Sequence, residues 1–210
     1  MSILNAFVEP DLGLVGVDTE SVHPDGTIAE ASKMMVLHHI SAVIAFRGTD
    51  YVVASAGAAL IGFTGSLEQL VEMLPAHLKA SVDYCRKHYQ AQEENLGLDF
   101  ALVGYSETEG QVVGYLFRRE IGGEEIRSDR IHTRYLSPHQ PSWGPFLEAI
   151  PADRPGMIAL AQHQSRLSRE YKPNLAAGGR FFIAEVRRDS IKISKAFKFP
   201  PRNPNSEVVA

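Results

Sequence analysis

The sequence is poor in cysteine, with Cys85 as the one thiol among 210 residues. A single cysteine excludes an internal disulfide framework and a cysteine-based zinc cluster, which suits a reducing cytoplasm. No apolar run approaches the roughly 18–20 residues that a helix needs to span a bilayer. The first seven residues also lack the basic stretch and long apolar core of a secretory signal. We therefore expect a soluble cytoplasmic protein without a membrane segment.

The sequence also lacks a strong excess of one charge sign and the common cofactor-binding motifs. The 25 acidic and 21 basic side chains give a net charge of −4 without any long basic run, so a nucleic-acid partner is not expected. The chain has no Gly-x-Ser-x-Gly elbow, Walker loop or Gly-x-Gly-x-x-Gly fingerprint. His38 and His39 are adjacent and would face opposite sides of a strand, and the other histidines lack ligand spacing. These absences predict neither a metal nor a cofactor.

The length and the apolar content, 44% of residues, fit one domain with a substantial core. We predict a single domain over residues 1–199. Residues 200–210 contain three prolines and few apolar anchors, which is typical of a loose C-terminal tail.

Strand-like and helix-like segments occur in blocks along the chain. Apolar runs bounded by turn residues predict strands at 3–8, 12–17, 33–37, 41–46, 98–105, 112–117, 181–186 and 191–197, with another inside 124–136. Helical periodicity predicts helices at 51–60, from Ser66 to Tyr89 and over 157–171. Pro75 is expected to kink or split the second helix. Strand blocks separated by helix blocks favour sheets packed face to face with helices outside.

Four short segments add a more specific pattern. They are Val15-Gly16-Val17-Asp18-Thr19, Ser32-Lys33-Met34, Ala45-Phe46-Arg47-Gly48-Thr49-Asp50, and Asn174-Leu175-Ala176-Ala177-Gly178-Gly179 followed by Arg180-Phe181-Phe182-Ile183. In order and spacing they resemble motifs of the proteasome β-type subunits and their bacterial relatives, in the N-terminal-nucleophile (Ntn) hydrolase superfamily. The resemblance covers most of residues 2–197. It implies an α+β fold, a four-layer αββα sandwich of two antiparallel sheets flanked by helices.

The resemblance also implies an active site. In this family the nucleophile is the first residue of the mature chain, and its free α-amino group serves as general base. Removal of the initiator methionine would make Ser2 that residue. Asp18 follows Ser2 by 16 positions, the separation that the family uses, and Lys33 follows Asp18 by 15, one fewer than usual. The backbone N–H of Gly48, or of Arg47 beside it, would stabilise the oxyanion.

The sequence departs from the family pattern at several positions. Serine replaces the usual threonine nucleophile, and Asn174 and Ala177 stand where the family has a supporting aspartate and serine. The stretch 137–144 lacks the Gly-Ser-Gly-like turn that carries another supporting serine. A catalytically decayed scaffold is therefore an alternative to a peptidase, and a small-molecule amidase is a third reading.

Simpler structural roles are also open for the site residues. Asp18 and Lys33 could form a purely structural ion pair, and Gly48 could simply permit a tight turn. The resemblance implies a peptide or small amide substrate and a homo-oligomer, whose size the sequence does not define.

Overall fold

The computed structural model describes residues 2–22, 27–138, 149–171 and 178–201. The strands in this part of the chain are β1 Leu4–Glu9, β2 Leu12–Asp18, β3 Glu20–Val22, β4 Ile28–Glu30, β5 Met34–Leu37, β6 Ala42–Arg47, β7 Leu98–Ser106, β8 Gln111–Arg119, β9 Arg127–Arg130, β10 Arg134–Ser137, β11 Arg180–Arg187 and β12 Ser190–Lys198. The α-helices are α1 Asp50–Leu60, α2 Leu67–His88 and α3 Arg154–Tyr171. None of these helices is long and apolar enough to cross a membrane.

The long strands form two five-stranded antiparallel sheets. The first sheet has the order β10-β1-β2-β11-β12, and the second has the order β5-β6-β7-β8-β9. A separate two-stranded hairpin of β3 and β4 connects the end of β2 to the start of the second sheet. The predicted hairpins β1–β2, β7–β8 and β11–β12 are confirmed.

Because side chains alternate along the strands, each sheet contributes to two apolar layers, one on each of its faces. Leu4 and Ala6 of β1 face the second sheet, whereas Phe7 of β1 and Ile3 just before it face α3. The core between the sheets consists mainly of small and β-branched residues: Val15, Val17, Val43, Ala45, Ala101, Val103, Val112, Ala184 and Val186. Such side chains allow the two sheets to pack closely.

Helices cover the outer faces of both sheets. Ser66 begins α2 with a capping box to Gln69, and the leucines of one α2 stripe are buried on the second sheet. On the opposite side, Met157 and Leu160 of α3 pack on the first sheet. The predicted four-layer αββα sandwich is therefore confirmed.

A buried amide pair fixes α3 on the first sheet. Gln164 of α3 is fully buried together with Asn5 of β1. The Asn5 Nδ2 donates to Gln164 Oε1 at 2.7 Å, and Gln164 Nε2 donates to Asn5 Oδ1 at 3.1 Å. Together with a bond from Gln164 Nε2 to the Pro138 carbonyl at 2.9 Å, these contacts offset the penalty of burying two amides.

Some local predictions were wrong. Of the two outcomes expected at Pro75, a kink or a split, the split is wrong: α2 is continuous from Leu67 to His88, and leucine packing on both sides of the proline offsets its cost of about 3 kcal/mol. Residues 38–40 form a 3-10 turn where the connection between the strands 33–37 and 41–46 was predicted, so His38 and His39 do not lie in a strand. The region 124–136, predicted to hold one strand, holds β9 and most of β10. The three-residue strands β3 and β4 were missed because they are too short to show periodicity.

Candidate active site

Strand pairing brings two of the predicted site residues together at one end of the first sheet. Ser2 lies just before β1, and Asp18 is the last residue of β2. The antiparallel register places Leu4 opposite Val17, so that Ile3 lies beside Asp18. The Ile3 N–H donates to the Asp18 carboxylate at 2.9 Å. A separation of 16 residues in sequence thus becomes direct proximity.

Lys33 reaches this point from the second sheet. It directly precedes β5, and its carbonyl accepts the Phe46 N–H of β6 at 3.0 Å. The β3–β4 hairpin carries the chain from Asp18 back to Lys33. This hairpin is attached to the first sheet by the Thr19 N–H, which donates to the Arg180 carbonyl at 2.9 Å. Backbone hydrogen bonds therefore fix both ends of the connection between Asp18 and Lys33.

The ammonium group of Lys33 joins the predicted site residues. Its Nζ donates to Ser2 Oγ at 2.9 Å and to Asp18 Oδ1 at 3.1 Å, and it also donates to the Glu20 carbonyl. Three acceptors match the three N–H bonds of an ammonium. Because the Lys33 side chain is only 8% exposed, these contacts hold a positive charge against the Ser2 hydroxyl with little screening by water.

Asp18 is the buried anion of this group. Its carboxylate is fully buried, and it accepts the backbone N–H of Ile3 and, at 3.4 Å, that of Gly178. Burial raises the pKa of Asp18, and the Lys33 charge with these hydrogen bonds opposes the rise. The Asp18 carboxylate therefore depends on the neighbouring Lys33 and on these hydrogen bonds for its charged form.

Gly48 lies in the turn between β6 and α1, beside Ser2. The two residues line one cavity of about 400 Å³. A Cβ on Gly48 would lie 3.3 Å from the Gly97 carbonyl oxygen and 3.3 Å from the Leu98 Cβ, so glycine permits a close approach of two backbone segments. Both interpretations of Gly48, an oxyanion donor and a tight turn, are compatible with this position.

A second polar cluster at the same cavity was missed from the sequence. Asp99 of β7 accepts Arg47 Nη1 of β6 at 3.0 Å and Arg118 Nε of β8 at 2.9 Å. Arg47 also donates to the buried Ser137 hydroxyl at the end of β10. The three charged residues lie opposite one another on neighbouring strands. The order of β6, β7 and β8 in the sheet brings these three residues together, and that order cannot be deduced from the sequence.

Two of the positions at which the sequence departs from the family pattern, Asn174 and Ala177, lie outside the described residues. Of the stretch 137–144, Ser137 and Pro138 are described, and the Ser137 N–H donates to Asn5 Oδ1 at 3.4 Å. Within the described residues, no group of three or more His, Cys, Asp or Glu side chains is placed to hold a metal ion.

Two stacked antiparallel sheets between helical layers give this chain the fold of the proteasome-like bacterial proteins, an Ntn-hydrolase-like architecture. Solved structures that share this fold include Anbu proteins. The Anbu complex from Pseudomonas aeruginosa, described as a helical assembly, matches with a TM-score of 0.68 at 15% identity, over 94% of this chain and 88% of that chain. Anbu from Yersinia bercovieri, described as an ancestral beta-subunit, matches with a TM-score of 0.66 at 12% identity, over 95% and 88%.

A third similar structure is a Gly-1 mutant of Anbu from Hyphomicrobium sp. strain MC1, with a TM-score of 0.65 at 12% identity over 94% of this chain and 87% of that chain. At these identities the similarity shows the fold alone. No protein-family model matches the sequence, and neither does any curated protein. The predicted resemblance is thus confirmed for the fold, while the roles of the site residues stay predictions.

Proposed function

We propose that this chain is an N-terminal-nucleophile hydrolase of amide bonds, acting on a peptide or a small amide, with Ser2 as nucleophile after removal of Met1. The observation that carries the proposal is the hydrogen bond of 2.9 Å from the buried Lys33 ammonium to Ser2 Oγ. A purely structural Lys33–Asp18 pair would not require a hydroxyl at the third position. The hydroxyl also borders a cavity of about 400 Å³ that can admit a substrate.

The first step is attack of Ser2 Oγ on the amide carbonyl carbon. The free α-amino group of Ser2 takes the hydroxyl proton while the Oγ–C bond forms, and the carbonyl electrons move to oxygen. Lys33 donates its hydrogen bond to Oγ and so lowers the energy of the developing negative charge, while Asp18 holds Lys33 in place. The Gly48 N–H is the proposed donor to the oxyanion.

The second half of the reaction releases both products. The tetrahedral intermediate collapses, the C–N bond breaks, and the α-ammonium group protonates the leaving amine. The acyl group stays on Ser2 as an ester. Water then attacks the ester with the same α-amine as base, and the carboxylic acid is released with regeneration of the Ser2 hydroxyl.

Mass spectrometry of the purified protein tests the requirement for a free Ser2. We expect an intact mass that lacks one methionine, N-terminal sequencing that begins at Ser2, and a single added label after treatment with a β-lactone, an electrophile that acylates activated hydroxyls. Ser2→Ala should abolish the label, whereas Ser32→Ala, at an exposed serine near the site, should keep it. Retained Met1, an acetylated Ser2, or equal labelling of Ser2→Ala would contradict the mechanism and leave the scaffold reading.

Self-association is a second part of the proposal. The helical layer of α1 and α2 leaves Ile61, Tyr84 and Tyr89 exposed, at 81%, 46% and 52% respectively, and the Pseudomonas aeruginosa Anbu complex forms a helical assembly. We expect a homo-oligomer that buries this helical surface. Light scattering after size-exclusion chromatography should give a mass of several 23.1 kDa chains. A strict monomer at micromolar concentration would contradict this expectation.

A further inference from the structure

A second cavity, of about 550 Å³, adjoins the one beside Ser2. Arg47 and Arg118 line both cavities, which makes them neighbouring parts of one surface depression. The lining of the second cavity, which we call the arginine cavity, is Arg47, Arg118, Arg134, Tyr135, Leu136, Ser137 and Pro138.

The lining of the arginine cavity is rich in positive charge. Three guanidinium groups line it, and no carboxylate lines it among the described residues. Asp99, which is buried, is bound to two of the three arginines, and Glu120 lies 3.8 Å from Arg118 at the edge of the cavity beside Ser2. Because the whole chain has a net charge of −4, a cavity lined by three arginines is opposite in sign to the overall charge.

Arg47 still presents donors to the cavity. Within the described residues, the hydrogen bonds of Arg47 all leave from Nη1, so its Nε and Nη2 remain able to bind a ligand. The side chains of Arg47 and Arg118 are 35% and 37% exposed. Burial alone would lower the pKa of Arg118, but its hydrogen bonds to Tyr135 and Asp99 raise it, so the group stays cationic.

Contacts beneath the cavity also hold the arginines in place. Asp99 fixes Arg47 and Arg118 from below, and Arg118 Nη2 donates to the Tyr135 hydroxyl at 3.1 Å. The Arg134 guanidinium stacks over the Phe7 ring at 5.3 Å from its centre. Fixed guanidinium groups bind a planar anion with less loss of side-chain entropy than mobile ones.

The position of the cavity connects it to the nucleophile. β10 pairs with β1 so that Ser137 lies opposite Leu4, two positions from Ser2. Arg47 precedes Gly48 and lines the Ser2 cavity directly. A molecule whose amide carbonyl lies at Ser2 can therefore extend a second group to the arginines.

We propose that the arginine cavity binds a carboxylate of the substrate, so that this chain selects acidic amides, such as peptides with an acidic side chain or a terminal carboxylate near the cleaved bond. This inference rests on the proposed hydrolase function, because it assigns the substrate class of the same site. A carboxylate is the favoured anion because Asp99 already forms this type of pair with two of the arginines, and because guanidinium and carboxylate are geometrically matched.

Binding to a catalytically inert protein tests the inference separately from hydrolysis. Ser2→Ala is titrated in a calorimeter with glutarate, with its uncharged diamide glutaramide, and with inorganic phosphate. We expect saturable binding of glutarate, at least about tenfold weaker binding of glutaramide, and loss of glutarate affinity as salt rises. Adding Arg134→Gln, which leaves Asp99 paired with both of its arginines, should weaken glutarate binding by about 10- to 100-fold.

A matched control is Arg187→Gln. Arg187 is exposed and ends β11 at the far end of the sheet from Asp18, so this change should leave glutarate binding unaltered. Thermal unfolding checks that the Arg134→Gln protein is folded, and Arg118→Gln provides a second loss of charge in the same cavity. Equal binding of glutarate and glutaramide, or an effect of Arg187→Gln as large as that of Arg134→Gln, would overturn the inference.

The remaining outcomes separate the two proposals. Phosphate binding tighter than glutarate, with the same dependence on Arg134, would show that the substrate class is wrong. Glutarate binding to Ser2→Ala without any labelling of Ser2 in the wild-type protein would support the carboxylate site and overturn the hydrolase. Labelling of Ser2 without glutarate binding would support the hydrolase and overturn the carboxylate site.

Discussion

Ser2→Ala is expected to lower kcat for amide hydrolysis by at least about 1,000-fold, since it removes the hydroxyl that forms the acyl intermediate in the proposed mechanism. The change should cost only about 1–2 kcal/mol of stability, because one hydrogen bond from Lys33 is lost while Lys33 keeps its bonds to Asp18 and to the Glu20 carbonyl. Steady-state kinetics and urea unfolding of the same preparations give both quantities.

Ser2→Thr is the matched variant for this prediction. It keeps a hydroxyl for Lys33 to bind and keeps a nucleophile of the type that the proteasome β-type subunits use. We expect it to retain activity within about 100-fold of wild type, since only the position of the oxygen changes. Full activity in Ser2→Ala would show that the Ser2 hydroxyl does not perform the attack. Equal loss in both variants, with both proteins folded, would contradict the expectation that a threonine hydroxyl can replace that of serine.

Lys33→Met is expected to have the largest effect on stability. It leaves the Asp18 carboxylate fully buried without its cation, and removal of one partner of a buried ion pair costs about 3–5 kcal/mol. Urea unfolding measures the loss. The control is Lys79→Met, because Lys79 is half exposed and pairs with Asp83 one turn away on α2. That exposed pair should contribute no more than about 0.5 kcal/mol.

A double variant separates the structural role of Lys33 from its catalytic role. In Asp18→Asn with Lys33→Met the buried charge is gone, and the asparagine oxygen can still accept the Ile3 N–H. We expect most of the lost stability to return while hydrolysis stays at least about 100-fold below wild type. Recovery of activity together with stability would show that Lys33 acts only as a structural partner. A cost for Lys33→Met no greater than for Lys79→Met would contradict the buried pair itself.

The local elements were predictable because their signals are short in range. Alternation in β1 reflects which side chains face the second sheet and which face α3, and the Ser66 capping box begins α2 within four residues. The errors in the predicted elements also follow from the short range of these signals. β3 and β4 are too short for periodicity, and the continuity of α2 through Pro75 depends on packing against a sheet from elsewhere in the chain.

The candidate site was predictable only in part. Ser2, Asp18 and Lys33 were selected by spacing within a family resemblance, and the structure places them within hydrogen-bonding distance through the Lys33 ammonium. The neighbouring arginines were not selected. Arg47 and Arg118 are 71 positions apart in sequence, and the strand order of the second sheet places both beside Asp99.

By itself the sequence determined the hairpins and the helices, because side-chain period and turn residues act over a few positions, whereas the αββα order was implied by the resemblance to the proteasome β-type subunits. Only the tertiary structure decided which polar residues share a cavity. Strand order and sheet stacking join residues that are far apart in the chain, and burial then sets the strength of their electrostatic interactions. For this protein, that step brought Lys33 to Ser2 and placed three arginines in the adjoining cavity.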